Sequence, residues 1–298
     1  MMKIASRCFG PLLALALAAG LAQTVRGEPV PASGDRTNAA AKAPAYVAPD
    51  HPSAAPAPMK TATIDLGGGV KMEFVLIQPG AFVMGTSEEN DPDSDASPPH
   101  KVTLTQPFYL GKYEVTQEQW EKIMGRNPSH FPGAKRPVET VSWNACQEFL
   151  AKLQARTGRK FVLPTEAQWE FACRAGTSTL WSFGDRDAAM GNYAWSGSNS
   201  GQTTHAVGEK KPNAWGLYDL HGNVAEWCAD WYAKHTYSRG DATDPGGPPA
   251  GDSRVVRGGA WGDDSGYLRC TYRNCNGPDG ANEGIGLRCV MRVTGSAP

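Results

Sequence analysis

The second half of the chain, from Gly176 onward, limits the fold most strongly, because little of it can form regular structure. Gly, Asn, Ser, Asp and Trp dominate this half, and its apolar runs stay short. We therefore expect long loops with a few brief strands. A chain of this kind buries little through regular structure, so bound ions, disulfides and aromatic anchors are expected to keep it rigid.

Before Gly176 the sequence carries stronger local signals for strands and helices. Apolar and β-branched runs predict strands at 72–77 and 81–85, joined as a hairpin, and further strands at 101–104 and 108–110. Three helices are expected, each preceded by a Ser or Thr that can cap its first backbone N–H groups: Thr116 before 117–124, Ser142 before 144–157 and Thr165 before 166–174.

The N-terminal residues 1–27 are typical of a secretory signal peptide. Lys3 and Arg7 supply positive charge, and an apolar run follows over 11–22. This run is short for a membrane span, and an uncleaved anchor is the alternative. The Pro- and Ala-rich residues 28–60 predict a disordered linker, followed by a folded domain over 61–295. The chain is therefore expected to be exported, periplasmic or extracellular, with no membrane span after cleavage.

Charge and histidine spacing exclude two classes of function. The chain has 29 Lys and Arg residues against 30 Asp and Glu residues, a formal net charge of −1. Without a basic surplus, nucleic acid is not expected as a partner. The six histidines lack the spacing of a helical zinc-protease motif, and His221 is expected to be a surface residue.

The cysteine count bears on how the folded part is held together. Removal of the signal peptide, with Cys8, leaves six cysteines. An even number in an exported chain favours disulfides, and buried free thiols are the alternative.

Eight motifs follow one another between residues 69 and 293. They are PGAFVMG at 79–85, KYEVT at 112–116, VSWNA at 141–145, LPTEAQWE at 163–170, NAWGLYD at 213–219, GNVAEW at 222–227, RGGAW at 257–261 and GLRC at 286–289. In this order they resemble the family of the formylglycine-generating enzyme, the sulfatase-modifying oxidase. The resemblance implies that family's α+β fold, an irregular and loop-rich architecture related to C-type lectins with little regular secondary structure.

The resemblance also implies a calcium site in the segment 219–226. Asp219 and Glu226 would bind through their side chains, and Gly222 and Val224 through carbonyl oxygens. Hard oxygen ligands of this kind suit calcium. The alternative is that Glu226 is a buried hydrogen-bond acceptor and Asp219 a turn residue.

Two disulfides follow in part from the resemblance. Cys173 and Cys270 match one family bridge, and Cys289 matches half of another. Leu150 stands at the usual position of its partner, but Cys146 lies one helical turn earlier on the same face, so Cys146–Cys289 is expected. Cys228 and Cys275 would then pair with each other or stay reduced.

The resemblance breaks down where the family's oxidases bind copper. Two thiolates there hold Cu(I), which prefers soft sulfur ligands and activates dioxygen. The first of these positions holds Asp263 here, the second falls at or near Leu268, and Ala260 replaces a serine. Copper is therefore not expected as a cofactor. Cys270 and Cys275 have the spacing of the copper pair in a different register, and we keep them only as a fallback catalytic pair.

The stretch after the copper positions mixes aromatic, charged and amide side chains, which suits a polar ligand or peptide. A merely solvated loop is the alternative. The candidate ligand-binding residues are Trp261, Asp263, Asp264, Tyr267, Tyr272, Arg273 and Asn274.

Together, the residues and the resemblance predict an exported, calcium-stabilised domain without copper-dependent oxidase activity that binds a peptide, glycan or small molecule near Trp261. The alternative is an oxidoreductase of the same family. It would generate formylglycine on sulfatase cysteines through Cys270 and Cys275, or catalyse an oxidation of the kind found in periplasmic siderophore maturation.

Overall fold

The computed structural model describes residues 59–87 and 95–293. The predicted signal peptide and nearly all of the predicted linker lie outside these residues. The strands are β1 Thr61–Asp65, β2 Lys71–Ile77, β3 Gly80–Met84, β4 His100–Leu104, β5 Phe108–Gly111, β6 Phe161–Val162, β7 Ala225–Trp231, β8 Ala242–Thr243, β9 Arg254–Arg257, β10 Arg273–Asn276, β11 Ile285–Gly286 and β12 Val290–Arg292. The α-helices are α1 Gln117–Met124, α2 Trp143–Thr157, α3 Glu166–Arg174 and α4 Met190–Tyr193.

Local capping sets the beginnings of the three longer helices, as the sequence predicts. The side chains of Thr116, Ser142 and Thr165 each accept a hydrogen bond from a first-turn backbone N–H group. In α1 and α3 a glutamine of the first turn also bonds back to the capping residue, which completes a capping box. Gly158 ends α2 in the left-handed conformation, where a residue without Cβ is favoured.

A five-stranded sheet in the order β1-β2-β5-β12-β6 separates two apolar cores. On β2, Phe74 packs into the core that also contains Trp120 of α1 and Phe149 of α2, whose rings stack at 4.9 Å. Val75, the next residue of β2, packs into the other core with Trp169 of α3. The sheet is therefore buried on both faces, because successive side chains of a strand point to opposite sides.

The predicted hairpin of strands 72–77 and 81–85 is wrong. β2 pairs on one side with β1 and on the other with β5, so neither edge is left for β3. β3 pairs instead with β4 in a separate sheet of the order β3-β4-β8. Gln78 and Pro79 carry the chain from one sheet to the other, and no short-range signal distinguishes such a crossing from a hairpin turn.

Regular structure is sparse after α3, as expected for the second half. The structure as a whole is 20% helical and 25% strand, so loops make up most of it. A third sheet, in the order β10-β9-β7-β11, brings the segment before β7 beside the loop after β9. No helix in residues 59–87 and 95–293 has the length and apolar character needed to cross a membrane.

Candidate functional site

Helix α3 carries two buried glutamates one turn apart, and buried arginines neutralise both. Arg273 donates to the two carboxylate oxygens of Glu166 at 2.6 and 3.0 Å. Arg257 donates to one oxygen of Glu170, and Arg174 donates to the other at 3.0 Å. Burial opposes ionisation of Glu166, but Arg273 and Arg257 outweigh it and hold the pKa of this carboxyl below its usual range.

This network contains one of the predicted ligand-binding residues. Arg273 is only 4% exposed, and its guanidinium is taken up by Glu166. The structure therefore places Arg273 inside the fold and away from a ligand-binding surface, because its position on β10 turns the side chain towards α3.

A glycine pair after β9 folds the next loop back on itself. Gly258 and Gly259 have φ angles of 99° and 70°, and a Cβ on Gly259 would lie 2.8 Å from the Tyr267 carbonyl oxygen. The second position therefore accepts only glycine. As a result, residues 260–267 form a compact loop whose end returns to pack against Gly259.

Asp263, which the resemblance aligns with the first copper position of the family's oxidases, closes this loop. Its Oδ2 accepts the Ala260 N–H at 2.8 Å, and its own N–H donates to the Ala260 carbonyl at 3.0 Å. Burial raises the pKa of Asp263 to about 6, against the lowering effect of the Ala260 N–H and with a smaller contribution from the Asp264 carboxylate. Asp263 thus serves as a partly buried acceptor that closes the loop.

Trp261 is an anchor of the same loop. Its side chain is buried, its Nε1 donates to the Glu283 carbonyl at 3.0 Å, and its ring meets Phe131 edge to face at 5.3 Å. Ser200 Oγ donates to the Trp261 carbonyl at 2.7 Å. These contacts fix the loop, and they leave the ring little surface for a ligand.

Three of the predicted ligand residues form a group at the surface that we call the tyrosine patch: Asp264 and Tyr267, which are exposed, and Tyr272, which is partly buried. Asp264 is exposed at the start of a 3₁₀ turn, Ser265–Leu268, and Tyr267 within that turn is 37% exposed. The rings of Tyr267 and Tyr272 meet edge to face with centroids 5.0 Å apart. Asn274 lies further along, where its Oδ1 accepts the backbone N–H of Cys275.

A second buried polar cluster contains the predicted calcium ligands. Arg288 donates to both oxygens of Glu226 at 2.7 to 3.1 Å, and Trp169 Nε1 donates to Oε2 at 2.8 Å. Both carboxylate oxygens of Glu226 therefore already accept hydrogen bonds from protein side chains. Glu226 does not fit the role of a calcium ligand, because neither oxygen is free to bind the ion.

Asp219 does fit a cation. Its Oδ2 accepts the Gly208 N–H at 2.7 Å, whereas its buried Oδ1 has no hydrogen-bond partner among the described residues. Burial raises the pKa of Asp219 to about 6. Burial, with the nearby Asp219 and Glu226, also raises the pKa of Glu114 well above its usual value. A cluster with more carboxylates than arginines and one unpaired oxygen is chemically suited to a hard cation.

The two predicted disulfide pairs are neighbours in the fold, and both are present as thiols. Cys173 Sγ lies 3.5 Å from Cys270 Sγ, and Cys146 and Cys289 share one apolar core. Their oxidation stays a prediction. Cys228 is a buried free thiol, so the reduced alternative is the one found for it.

The two residues of the fallback catalytic pair have different neighbours. Cys270 faces Cys173 in the protein interior, while Cys275 lies on β10 opposite Val255 of β9.

Sequence reasoning missed the most unusual group of side chains. The prediction that His221 is a surface residue is wrong, because it is 3% exposed and its Nε2 lies 3.7 Å from Cys173 Sγ. The left-handed backbone at Asp219 and Asn223 turns the segment inward. No local pattern could reveal this, since α3, the 219–223 segment and the loop before β10 each contribute one member of the group.

Comparison with known proteins bears on the fold and the site. Residues 69–293 match the model of the family described as the sulfatase-modifying factor enzyme 1-like domain. The formylglycine-generating enzyme of Mus musculus is 29% identical over 285 residues, covering 73% of this chain and 74% of that enzyme. The solved structure of Treponema denticola variable protein 1 superposes with a TM-score of 0.73 at 34% identity, covering 78% of this chain and 99% of that one.

A longer relative matches over the same domain. The serine/threonine-protein kinase pkn1 of Chlamydia pneumoniae is 32% identical over 251 residues, which are 74% of this chain. This chain spans only 38% of that protein's length. The kinase name therefore describes a protein of which this domain is a minor part.

Proposed function

Since the chain belongs to the family of sulfatase-modifying factor enzyme 1-like domains, we propose that it is an exported binding domain without copper-dependent oxidase chemistry. The ligand in this proposal is a polar molecule, and a peptide suits the surface best. The carrying observation is that Asp263, which the resemblance aligns with a copper-binding thiol, is a carboxylate that accepts the Ala260 N–H and closes its own loop.

The donor atoms support the absence of copper chemistry. Cu(I) is held by soft sulfur ligands, and a carboxylate prefers hard cations. One carboxylate oxygen of Asp263 also accepts a hydrogen bond from the Ala260 N–H. Cys270, the nearest thiol in sequence, points towards Cys173. The loop therefore lacks the sulfur pair that would hold cuprous ion beside a bound substrate.

The tyrosine patch supports the choice of ligand. Tyr267 is, with Val83, one of two large apolar side chains that are clearly exposed in the described part of the chain. A phenol ring beside a second ring gives flat apolar contact with a polar edge, and Asp264 adds an exposed negative charge. Such a surface fits a peptide with an apolar or aromatic residue next to a basic one.

A binding screen with a matched variant tests this proposal. The protein is screened against peptide and oligosaccharide arrays, and the strongest peptide is measured by calorimetry. Tyr267→Ala is expected to weaken binding about 10-fold, because an aromatic anchor at an interface contributes on the order of 1–2 kcal/mol. Val83→Ala, which removes a side chain of similar exposure from β3, should leave affinity unchanged. Equal affinities for the wild type and Tyr267→Ala, or binding to oligosaccharides alone, contradict the peptide proposal.

Oxygen consumption distinguishes the binding domain from the oxidoreductase alternative. The protein is incubated with a cysteine-containing peptide, dioxygen and Cu(I), and oxygen uptake and aldehyde formation are followed. We expect neither. Catalytic oxygen uptake with aldehyde formation, lost in Cys270→Ser, would establish the alternative instead.

Calcium stabilisation belongs to the same proposal, with Asp219 as the side-chain ligand and the carbonyls of Gly222 and Val224 beside it. Excess EDTA should lower the melting temperature of the wild type, and calcium should restore it. Asp219→Ala should abolish the calcium response. A melting temperature that does not change between EDTA and calcium rules out the site.

A further inference from the structure

Three soft or borderline ligand atoms converge in the interior between α3 and the loop after β9. The Sγ atoms of Cys173 and Cys270 and a ring nitrogen of His221 all lie within 4.8 Å of one another. Cys173 Sγ is 3.5 Å from Cys270 Sγ and 3.7 Å from His221 Nε2. All three residues are buried. Residues 59–87 and 95–293 contain no other group of three or more such side chains this close.

The imidazole places its unprotonated nitrogen next to Ser182 and Cys173 Sγ. His221 Nδ1 lies 2.7 Å from the Leu268 carbonyl, which can only accept, so the proton sits on Nδ1. Nε2 is then the unprotonated nitrogen, and it accepts from the Ser182 N–H at 3.2 Å. Phe183 packs edge to face against the ring at 5.4 Å. A backbone carbonyl that fixes the far nitrogen is the usual companion of a metal-binding histidine.

We propose that Cys173, Cys270 and His221 form a structural binding site for Zn²⁺, in place of the Cys173–Cys270 disulfide that the resemblance implies. Tetrahedral zinc with ordinary bond lengths separates two sulfurs by about 3.8 Å, and a sulfur from a nitrogen by about 3.5 Å. The observed separations of 3.5 and 3.7 Å differ from these by a few tenths of an ångström. The third separation, between Cys270 Sγ and the imidazole, lies within 4.8 Å, so binding of the metal would draw these two side chains towards the common centre.

Charge selects zinc among the thiophilic ions. Binding releases one proton from each thiol, and two thiolates with a neutral imidazole and Zn²⁺ make a complex with no net charge. Cu(I) in the same ligand set leaves one negative charge, which is costly in a buried site. Ser182 Oγ, 2.9 Å from His221 Nε2, is placed to take the fourth position. Zinc would displace the hydrogen bonds that Nε2 now accepts from Ser182.

Such a site would join three separate parts of the chain. Cys173 lies in the last turn of α3, His221 in the segment before β7, and Cys270 follows the 3₁₀ turn that carries Tyr267. Zinc there would tether the base of the tyrosine patch to the helix. The site does not depend on what the patch binds.

Metal titration of the reduced full-length protein tests the proposal. Under anaerobic conditions Co²⁺ is added as a spectroscopic probe, followed by Zn²⁺. We expect one Co²⁺ per chain with thiolate-to-cobalt charge-transfer absorption, its displacement by Zn²⁺, and two fewer thiols reactive towards a disulfide reagent. Reduced, folded protein that binds neither ion overturns the proposal.

Matched variants assign the ligands. Cys270→Ser and His221→Asn should abolish the absorption; in the latter, the amide N–H can still donate to the Leu268 carbonyl while the ligand nitrogen is lost. Cys146→Ser removes an equally buried thiol from a pair without a histidine and should leave metal binding intact. Retention of the absorption in Cys270→Ser or His221→Asn overturns the assignment.

Two further measurements keep the proposal testable if a variant fails to fold. X-ray absorption of the zinc-loaded wild type should show two sulfurs at about 2.3 Å, and a shell of nitrogen and oxygen alone refutes the site. Mass spectrometry of protein secreted by its host should show Cys173 and Cys270 as thiols with zinc bound. A disulfide between them, or retention of Cu(I) without affinity for Zn²⁺, overturns the zinc site.

Discussion

Replacing Asp263 by asparagine tests the role of the residue that the resemblance aligns with a copper-binding thiol. The variant keeps a carbonyl oxygen at the place of Oδ2, so the hydrogen bond from the Ala260 N–H, 2.8 Å long in the wild type, can persist. What changes is the charge. Burial raises the pKa of Asp263, which means that the folded protein disfavours its ionised form.

The sign and size of the effect follow from proton linkage. Between the unfolded pKa and the raised folded pKa, the folded state binds more protons, so stability falls as pH rises through this window. The difference between the ordinary pKa of 3.8 and the raised pKa of about 6 corresponds to about 3 kcal/mol. Because the side chain keeps some exposure, solvent screening reduces the expected effect to about 2 kcal/mol. The amide that replaces the carboxyl group in the variant does not ionise and escapes this penalty.

Urea unfolding across the pH range measures the effect. Relative to the wild type, Asp263→Asn should have nearly equal stability at about pH 4 and gain about 2 kcal/mol by about pH 7, with no further gain above it. Asp264→Asn is the matched control, since it makes the same substitution at an exposed neighbouring side chain, and it should change stability by less than about 0.5 kcal/mol. The reasoning is refuted if the stability difference between Asp263→Asn and the wild type does not depend on pH. It is also refuted if the variant is less stable than the wild type at about pH 8.

Two further substitutions test the buried framework around the site. Glu170→Gln leaves buried arginines partly unpaired and should destabilise the fold by about 3–5 kcal/mol in denaturant titration, whereas Glu148→Gln in an exposed pair on α2 should leave the unfolding midpoint in place. Gly222→Ala would put a Cβ 2.0 Å from the Trp195 carbonyl oxygen at a φ of +92°, and we expect it to yield little soluble protein. Gly216→Ala, at a φ of +76° with nothing nearby, should cost only about 1–2 kcal/mol, and equal yields of the two variants would contradict this account.

The parts of the fold that the sequence predicts correctly depend on short-range chemistry. The helices beginning after Thr116, Ser142 and Thr165 are found where they are expected, because a capping side chain and its N–H partner lie three residues apart. The resemblance also predicts the family and the loop-rich α+β fold. Both signals are present in the order of the residues and need no knowledge of distant contacts.

The errors arise where distant segments decide the outcome. β2 pairs with β1 and β5, and β3 pairs with β4. The residues of the turn between β2 and β3 do not determine this pairing. The burial of His221 depends on α3 and on the loop after β9. The sequence suggests a ligand surface for Arg273 because its neighbours along the chain are polar, whereas alternation along β10 turns its side chain to the opposite side.

Buried arginines help to keep this loop-rich chain ordered. From the sequence, bound ions, disulfides and aromatic anchors are expected to do so. Arg257 donates to the carbonyls of Cys270, Thr271 and Tyr272, which belong to one irregular segment. Loop carbonyls inside a protein need donors, and a guanidinium supplies several from one side chain.

Arg288 repeats the arrangement beside Glu226, the carboxylate to which Trp169 Nε1 also donates. It donates to the carbonyls of Gly111 and Tyr218 while its charge is balanced by Glu226. Since a guanidinium does not lose its proton in a protein, these contacts persist at any redox state and over a wide pH range. The thiols near Cys270 are therefore not required to hold the backbone together, which leaves them free to serve as ligands. On this reasoning, loss of a metal or disulfide there should loosen the nearby loop without unfolding the domain.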